Sequence, residues 1–563
     1  MNLRLLCCAF IILSFSGMSH AMAQGWLWAK SAGGTGNENA TAVATDTAGN
    51  IYVTGTFSSA TVTFGSVTLT NTASGFRDIF LVKYAPSGSV LWATSAGGSS
   101  DDYATTLSLD AWGNICLGGY FYSPSIAFGT TTLTNYIDSA TCDFFVTKFN
   151  SSGAVVWAKG AGGRLNDQVS SIKTDATGAI LLTGYFESQY LIFGIDTVKN
   201  PVPLAADVFV IKYDSSGNFI WGNNSGGFGD NYGNAITTDA SNNVFVAGVF
   251  NSPTITFGDS VLTNSGTGTD DIFLVKYNRS GALLWARQAT GSNDDVANAL
   301  ATDASGNVYC AGAFASTTLS FSTNVVTNTG GGYDAFVAKY NTSGSPLWAT
   351  SIGTVTDNTY SYLLTLDAAS NIIVAGNFGS SSVSFGSSTL TNDVPGTYDL
   401  FIAKYNSSGT ALWANSNGGG GAIAGGVATD AAGDIYLAGN FSDSAFSFGE
   451  NVLLNSSAHT GTTDMFLAKY ILTSLSIANV SSQASKIVLY PNPAEDKINV
   501  VLNGAGYNSL SVYDCTGRSV YQKQLAGNEQ IVEVNISNLT DGVYFVRAMQ
   551  GDNMANATFV IRK

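Results

Sequence analysis

Tryptophan recurs at Trp28, Trp92, Trp157, Trp221, Trp285, Trp348 and Trp413, with spacings of 64, 65, 64, 64, 63 and 65 residues. A Lys-aromatic pair keeps step with it: Lys83-Tyr84, Lys148-Phe149, Lys212-Tyr213, Lys276-Tyr277, Lys339-Tyr340, Lys404-Tyr405 and Lys469-Tyr470. An Asp opening a turn does the same at Asp46, Asp110, Asp175, Asp239, Asp303, Asp367 and Asp430. A chain with such a period folds as stacked copies of one supersecondary unit, each burying its apolar face on the next. This displaces the prior of about four separate domains that the length alone suggests.

Each unit reads as four strands. "ATAVATD" runs into the turn "TAGN", and "IYVTGTF" follows, rich in β-branched and aromatic residues. "DIFLVKY" alternates again, and a Ser-Gly turn leads to "VLWATSAGG". The piece "VTFGSVTLTN" between the second and third strands predicts a short hairpin. No segment shows a sustained helical period with caps.

Seven such units predict an all-β fold, a seven-bladed β-propeller of four-stranded blades. One count bears on closure. The Trp strand and the Lys-aromatic strand each occur seven times, but the Ser-Gly turn joining them occurs six times, from Ser87-Gly88 to Ser408-Gly409. It is missing after Tyr470, while the chain starts with an orphan Trp strand, Trp26 to Ser31. If that strand completes the last blade, the ring closes without an open edge, and open edges invite aggregation. An open solenoid would strand an orphan at each end. The Asp46 to Asn50 turn, the "YVTG" run and "DIFLVKY" resemble the seven-bladed β-propeller repeat common in bacterial surface proteins. That resemblance implies the fold and no single activity.

The flanks differ from the repeat. Residues 1–23 read as a secretory signal: Arg4, an apolar run from Leu5 to Phe15, and Ala21-Met22-Ala23 before a start near Gln24. The propeller then covers 24–470, a Ser-rich linker 471–486, and a small β-sandwich 487–563. This last segment resembles the type A sorting domain of the type IX secretion system of Bacteroidota. The matching residues are Tyr490, Pro491, Asn492, Pro493, Asp496, Asp514, Gly517, Arg518, Gly542, Tyr544 and the terminal Arg562-Lys563. The resemblance implies export to the cell surface or medium, with the type IX machinery as partner.

Composition excludes several functions. The net charge is −16, which disfavours nucleic-acid binding. His20 and His459 are the two histidines, too few for most hydrolytic triads or zinc sites. No later stretch reaches the length of a membrane span. Cys116, Cys142, Cys310 and Cys515 form no disulfide framework, so free, mostly buried thiols are expected.

Strand order places the tight turns at one end of each blade and the hairpin and inter-blade loops at the other. Binding groups are expected on the longer loops, near the central channel. Residues repeated in all blades, such as Asp46 and Asp78 with their counterparts, are expected to serve the fold, the former through Asx-type turns. Loop residues that break the symmetry are the binding candidates: Asp101, Asp102, Asp167 beside Arg164, Asp230, Tyr232, Asp294, Asp295, Asp357 and Tyr360, with Arg77 a rare cation among them. No cofactor motif is present; adjacent carboxylates with Asn leave calcium as the one metal these loops would suit. The expected function is a secreted or surface binding scaffold for an extracellular glycan or protein. The alternatives are a carbohydrate-active enzyme using loop Asp pairs and a purely structural surface component. No acid pair is marked out from the others, so the residues favour binding over catalysis.

Overall fold

The computed structural model describes residues 22–474 and 487–563, except 138–139, 194–195, 201, 203, 267, 329, 354–357, 393, 395–396, 418–420, 458–460, 503–506, 515–517, 527–528 and 551–552. The signal segment 1–21, most of the linker, Asp357, His459, Cys515 and Gly517 therefore lie outside the described residues. Every regular element among the described residues is a strand. The chain divides into two compact units, Gln24–Leu472 and a second that holds Thr473–Lys563.

In the first unit the strands form seven four-stranded antiparallel sheets. The first sheet runs Glu38–Thr45, Ile51–Phe57, Asp78–Tyr84 and Val90–Ala96, in sequence order from the inner to the outer edge. The insertion between its second and third strands is a hairpin, Thr61–Phe64 with Val67–Thr70. The inner strands pack on one another in chain order, and the last, Ala422–Thr429, packs on the first. This is a β-propeller arrangement. The outer strand of the seventh sheet is Met22–Ala32, paired to Asp464–Ser474.

The contacts where the first and seventh sheets meet are those found between consecutive sheets. Thr45 Oγ1 donates to the Thr429 carbonyl at 2.8 Å, as Thr429 Oγ1 does to Leu366 at 2.9 Å. Each inner strand also carries a β-bulge, and in the first and second sheets the bulged threonine reaches the next sheet: Thr41 Oγ1 donates to Ala104 O and Thr105 Oγ1 to Val169 O, both at 2.7 Å. The bulge drives a carbonyl toward the second strand. A Cβ at Gly55 would sit 1.9 Å from Asn39 O, so only glycine fits there.

The middle strands are buried on both faces, from Ile51 to Phe57 without a break. Alternation alone suggests one solvent face, but each sheet lies between two others. The apolar clusters accordingly span neighbouring sheets: Tyr52, Ile79 and Leu81 of the first pack with Leu107, Ile115 and Phe145 of the second. Each such fully buried side chain contributes about 1.5–3 kcal/mol.

The second unit is a β-sandwich. A three-stranded sheet holds Ile487–Tyr490, Lys497–Leu502 and Ile531–Asn535, and a four-stranded sheet holds Ser519–Gln524, Ser509–Tyr513, Gly542–Gln550 and Asn553–Ile561. Their inner faces share one core that includes Ile498, Val534, Leu510, Val546 and Phe559.

Candidate functional site

The repeated residues make an inter-blade clasp on the tight-turn face. Asp110 Oδ1 accepts the backbone N–H of Trp112 and of Asn114, an Asx turn. Its other oxygen accepts Asn114 Nδ2 and lies 3.0 Å from Lys148 Nζ. Lys148 also donates to Ser215 O in the next sheet, and Trp157 Nε1 donates to the same carbonyl at 3.2 Å. The indole packs beneath Gly217, where a Cβ would lie 3.0 Å from the ring and where φ is +82°. Burial alone would raise the Asp110 pKa, but the bonds from Asn114 and Lys148 hold it below the usual carboxylate range.

At the opposite end, the first residue of each inner strand is buried. Asp102, Asp167 and Asp295 accept hydrogen bonds from Ser123, Ser188 and Ser316 at 2.9, 2.7 and 2.7 Å. Glu38 bonds Ser59 and Asn231 bonds Ser252 in the same way. These positions differ from the loop-surface placement expected of Asp102, Asp167 and Asp295. Strand alternation turns them inward, and the loop beneath closes over them. Burial pushes the carboxyls of Asp102 and Asp295 up to about 7 and raises Asp167 well above the usual carboxylate range.

The residue just before each inner strand remains at the surface. Asp101 accepts Arg77 N at 2.8 Å, Asp230 accepts Ala206 N at 3.0 Å and Asp294 accepts Asp270 N at 3.1 Å. Asn37, Asn166 and Asn358 make the same bond to Thr463, Cys142 and Tyr333. The residue type breaks the symmetry while the hydrogen bond repeats. Arg77 lies 3.5 Å from Asp101 and donates to Tyr103 at 3.1 Å. Arg164 is exposed on the neighbouring loop.

Around these groups lies an arc of tyrosines. Tyr103 stacks on Tyr120 with ring centroids 4.8 Å apart, and Tyr120 meets Tyr122 edge-on at 6.0 Å. Tyr122 hydrogen-bonds Cys142, which accepts Gln168 Nε2 at 3.4 Å. Tyr185 and Tyr232 pack at 4.9 Å. Tyr333 and Tyr360 pack at 5.3 Å, with Tyr398 6.5 Å from Tyr360. Each ring is half-buried or exposed, with the outer part of the face turned to solvent. The arc stops at the seventh sheet, where Ile423 and Asn440 hold the matching strand positions.

Of the expected residues, the structure gathers Arg77, Asp101, Asp230, Tyr232, Asp294 and Tyr360 on this face. The sequence reading passed over Tyr103, Tyr120, Tyr122, Tyr185, Tyr333, Tyr398 and Asp270. A usable signal exists: each lies at a strand end on the loop side, at a repeat position whose residue type changes from blade to blade. Among the described residues no three His, Cys, Asp or Glu side chains gather as a metal cluster. A cavity of about 200 Å³ in the channel is lined by small groups such as Thr41, Thr105, Ser171 and Gly425.

In the C-terminal sandwich the sorting residues hold its edges. Asn492 Oδ1 accepts Val560 N at 2.9 Å, Arg518 Nε donates to Asp514 at 3.0 Å, and Tyr544 OH donates to Thr540 O at 2.9 Å. Pro491 and Pro493 both follow cis peptide bonds, and Gly542 starts a strand. The terminal Lys563 donates through Nζ to Leu539 O at 2.7 Å and to Ser537 O.

The chain is similar to an uncharacterized WD repeat-containing protein of Acanthamoeba polyphaga mimivirus, 25% identical over 79% of this chain and 37% of that protein. It is similar to the regulatory protein FlaEY of Caulobacter vibrioides, 25% identical over 42% of this chain and 25% of that one. It thus spans well under half the length of either relative. Among solved structures it aligns with the WD40 β-propeller domain of Doa1 at a TM-score of 0.40 and 8% identity, over 80% of this chain and 98% of that one. No helix among the described residues is long and apolar enough to cross a membrane. Residues 488–562 match the secretion system C-terminal sorting domain. The protein is a repeat-built β-propeller that carries a type IX sorting domain, which marks it for the cell surface or beyond.

Proposed function

We propose that the exported propeller is a binding scaffold whose loop face takes an extracellular glycan or protein. The tyrosine arc carries this reading. Tyrosine offers a large, rigid, amphipathic contact with little rotamer entropy to lose, and its ring and hydroxyl suit both sugar faces and protein surfaces. On the tight-turn face the repeated Asp and Lys side chains are taken up by the clasp. The buried Asp102, Asp167 and Asp295 favour binding over acid-base chemistry, since none meets a surface ligand. Arg77, Asp101, Asp230, Tyr232, Asp294 and Tyr360 are the proposed contacts.

The test is a glycan array and a polysaccharide digestion screen with the mature protein and its Tyr103→Ala/Tyr120→Ala variant. Saturable binding weakened in the variant, without product release, is the expected result. Turnover lost on replacing loop acids would overturn the scaffold reading.

A further inference from the structure

We propose that the loop face at the third to fifth sheets docks a protein partner through a lysine- or arginine-rich segment bearing an apolar side chain. This rests on the loop face being the binding side.

The first observation is a charge that the fold does not require. Ahead of the inner strand, Asn37, Asn166 and Asn358 accept the same backbone N–H that Asp101, Asp230 and Asp294 accept elsewhere. An amide oxygen therefore suffices for the structural bond. At Asp101 the extra charge is met by Arg77. Asp230, Asp270 and Asp294 have no ion pair among the described residues. They are near enough to act on one another: burial first, then Asp294 and Asp230, raise the Asp270 pKa. Their field also reaches the rings. Asp230 and Asp270 act on Tyr232, and Asp294 and Asp270 act on Tyr333.

The second observation is apolar. Phe228 is 89% exposed, on the loop Gly226-Gly227-Phe228-Gly229 that leads into Asp230. Leu204 is 77% exposed at a φ of +80°, a strained conformation for leucine, two residues before the Ala206 N–H that Asp230 accepts. Two protruding apolar side chains beside unneutralised carboxylates and aromatic rings form an anchor with a charged surround. The complement is a cation on an apolar stem, held by carboxylates and by ring faces. A protruding phenylalanine fits an apolar pocket, which a protein surface supplies and a hydrophilic glycan does not.

The test selects a displayed random-peptide library on the full mature chain, then measures the winning synthetic peptide against variants. Enrichment of Lys or Arg beside aliphatic residues is expected. Asp230→Asn/Asp294→Asn keeps the structural bonds and the melting temperature, and should weaken binding about tenfold or more at low salt. Raising salt to about 0.5 M should remove that difference. Phe228→Ser should weaken binding at either salt. Selection of neutral or acidic peptides, or affinity unmoved by both variants, overturns the inference. Glycan binding that depends on Tyr103 and Tyr120 but ignores Asp230→Asn/Asp294→Asn also overturns it, yet leaves the binding-face reading standing. Binding of neither peptide nor glycan removes both.

Discussion

Lys148 and Asp110 form an ion pair of 3.0 Å with neither side chain more than 6% exposed. Losing one partner strands a buried charge, which costs about 3–5 kcal/mol. Lys148→Met should therefore lower stability by that order in chemical denaturation. Lys148→Met with Asp110→Asn should recover much of it. Equal losses in the single and double variants would show that the pair itself contributes little.

The clasp predicts a weak seam. Trp28, Trp92, Trp157, Trp221, Trp285 and Trp348 each pack under the Ser-Gly turn of the next sheet. Trp413 has no such turn to meet, because the last sheet takes its outer strand from the amino terminus, and it stacks on Tyr470 at 5.2 Å. Hydrogen exchange should open Ala411–Asn417 before its counterpart Val155–Ala161. The reverse order would refute this.

Buried carboxyls predict a stability decline toward neutral pH. Burial raises Asp102 and Asp295 to about 7 and Asp143 to about 6, from 3.8. The folded state binds these protons more tightly than the unfolded one. Their contribution is complete below about pH 4 and is lost as pH rises through about 7. The turn acids such as Asp110 act oppositely, losing their contribution as pH falls below about 4. Asp102→Asn/Asp295→Asn should raise the melting temperature at pH 8 and converge with the parent near pH 4. Parallel curves across that range would contradict the assignment.

Burial also predicts inert thiols. Cys116 and Cys310 are buried and unpaired, and desolvation pushes both up to about 12. Mass spectrometry after alkylation of the native protein should find them unmodified, and denaturation should expose them. Rapid native labelling at either would show that the sheets open.

Export supplies another prediction. Deleting 487–563 should trap the propeller in the periplasm, assayed by fractionation and surface protease. Unchanged surface display would exclude a sorting role for this tail.

Much of the architecture was legible because it is periodic. The missing Ser-Gly turn after Tyr470 foretold that Trp26 to Ser31 would complete the last sheet, and "VTFGSVTLTN" foretold a hairpin. The loop face was less legible. Asp101 and Asp102 are adjacent and alike in sequence, yet one strand residue separates surface from interior. Tyr103, Tyr120 and Tyr185 sit in strands and read as ordinary core aromatics. Tyr103 and Tyr120 meet as cross-strand partners in one sheet, while Tyr185 meets Tyr232 only where two sheets pack, and the repeat marks neither pairing.

The strand Asp464–Ser474 lies between Met22–Ala32 on one side and Ile435–Phe441 on the other. A pull on the chain beyond Leu472 loads this strand directly. Since it is bonded along both edges, it must break two ladders to leave. Removing the amino-terminal strand leaves one ladder to hold it, and should lower that resistance. The joint that completes the last sheet is thus also its mechanical fastening, and rupture force should depend on residues more than 400 positions away in sequence.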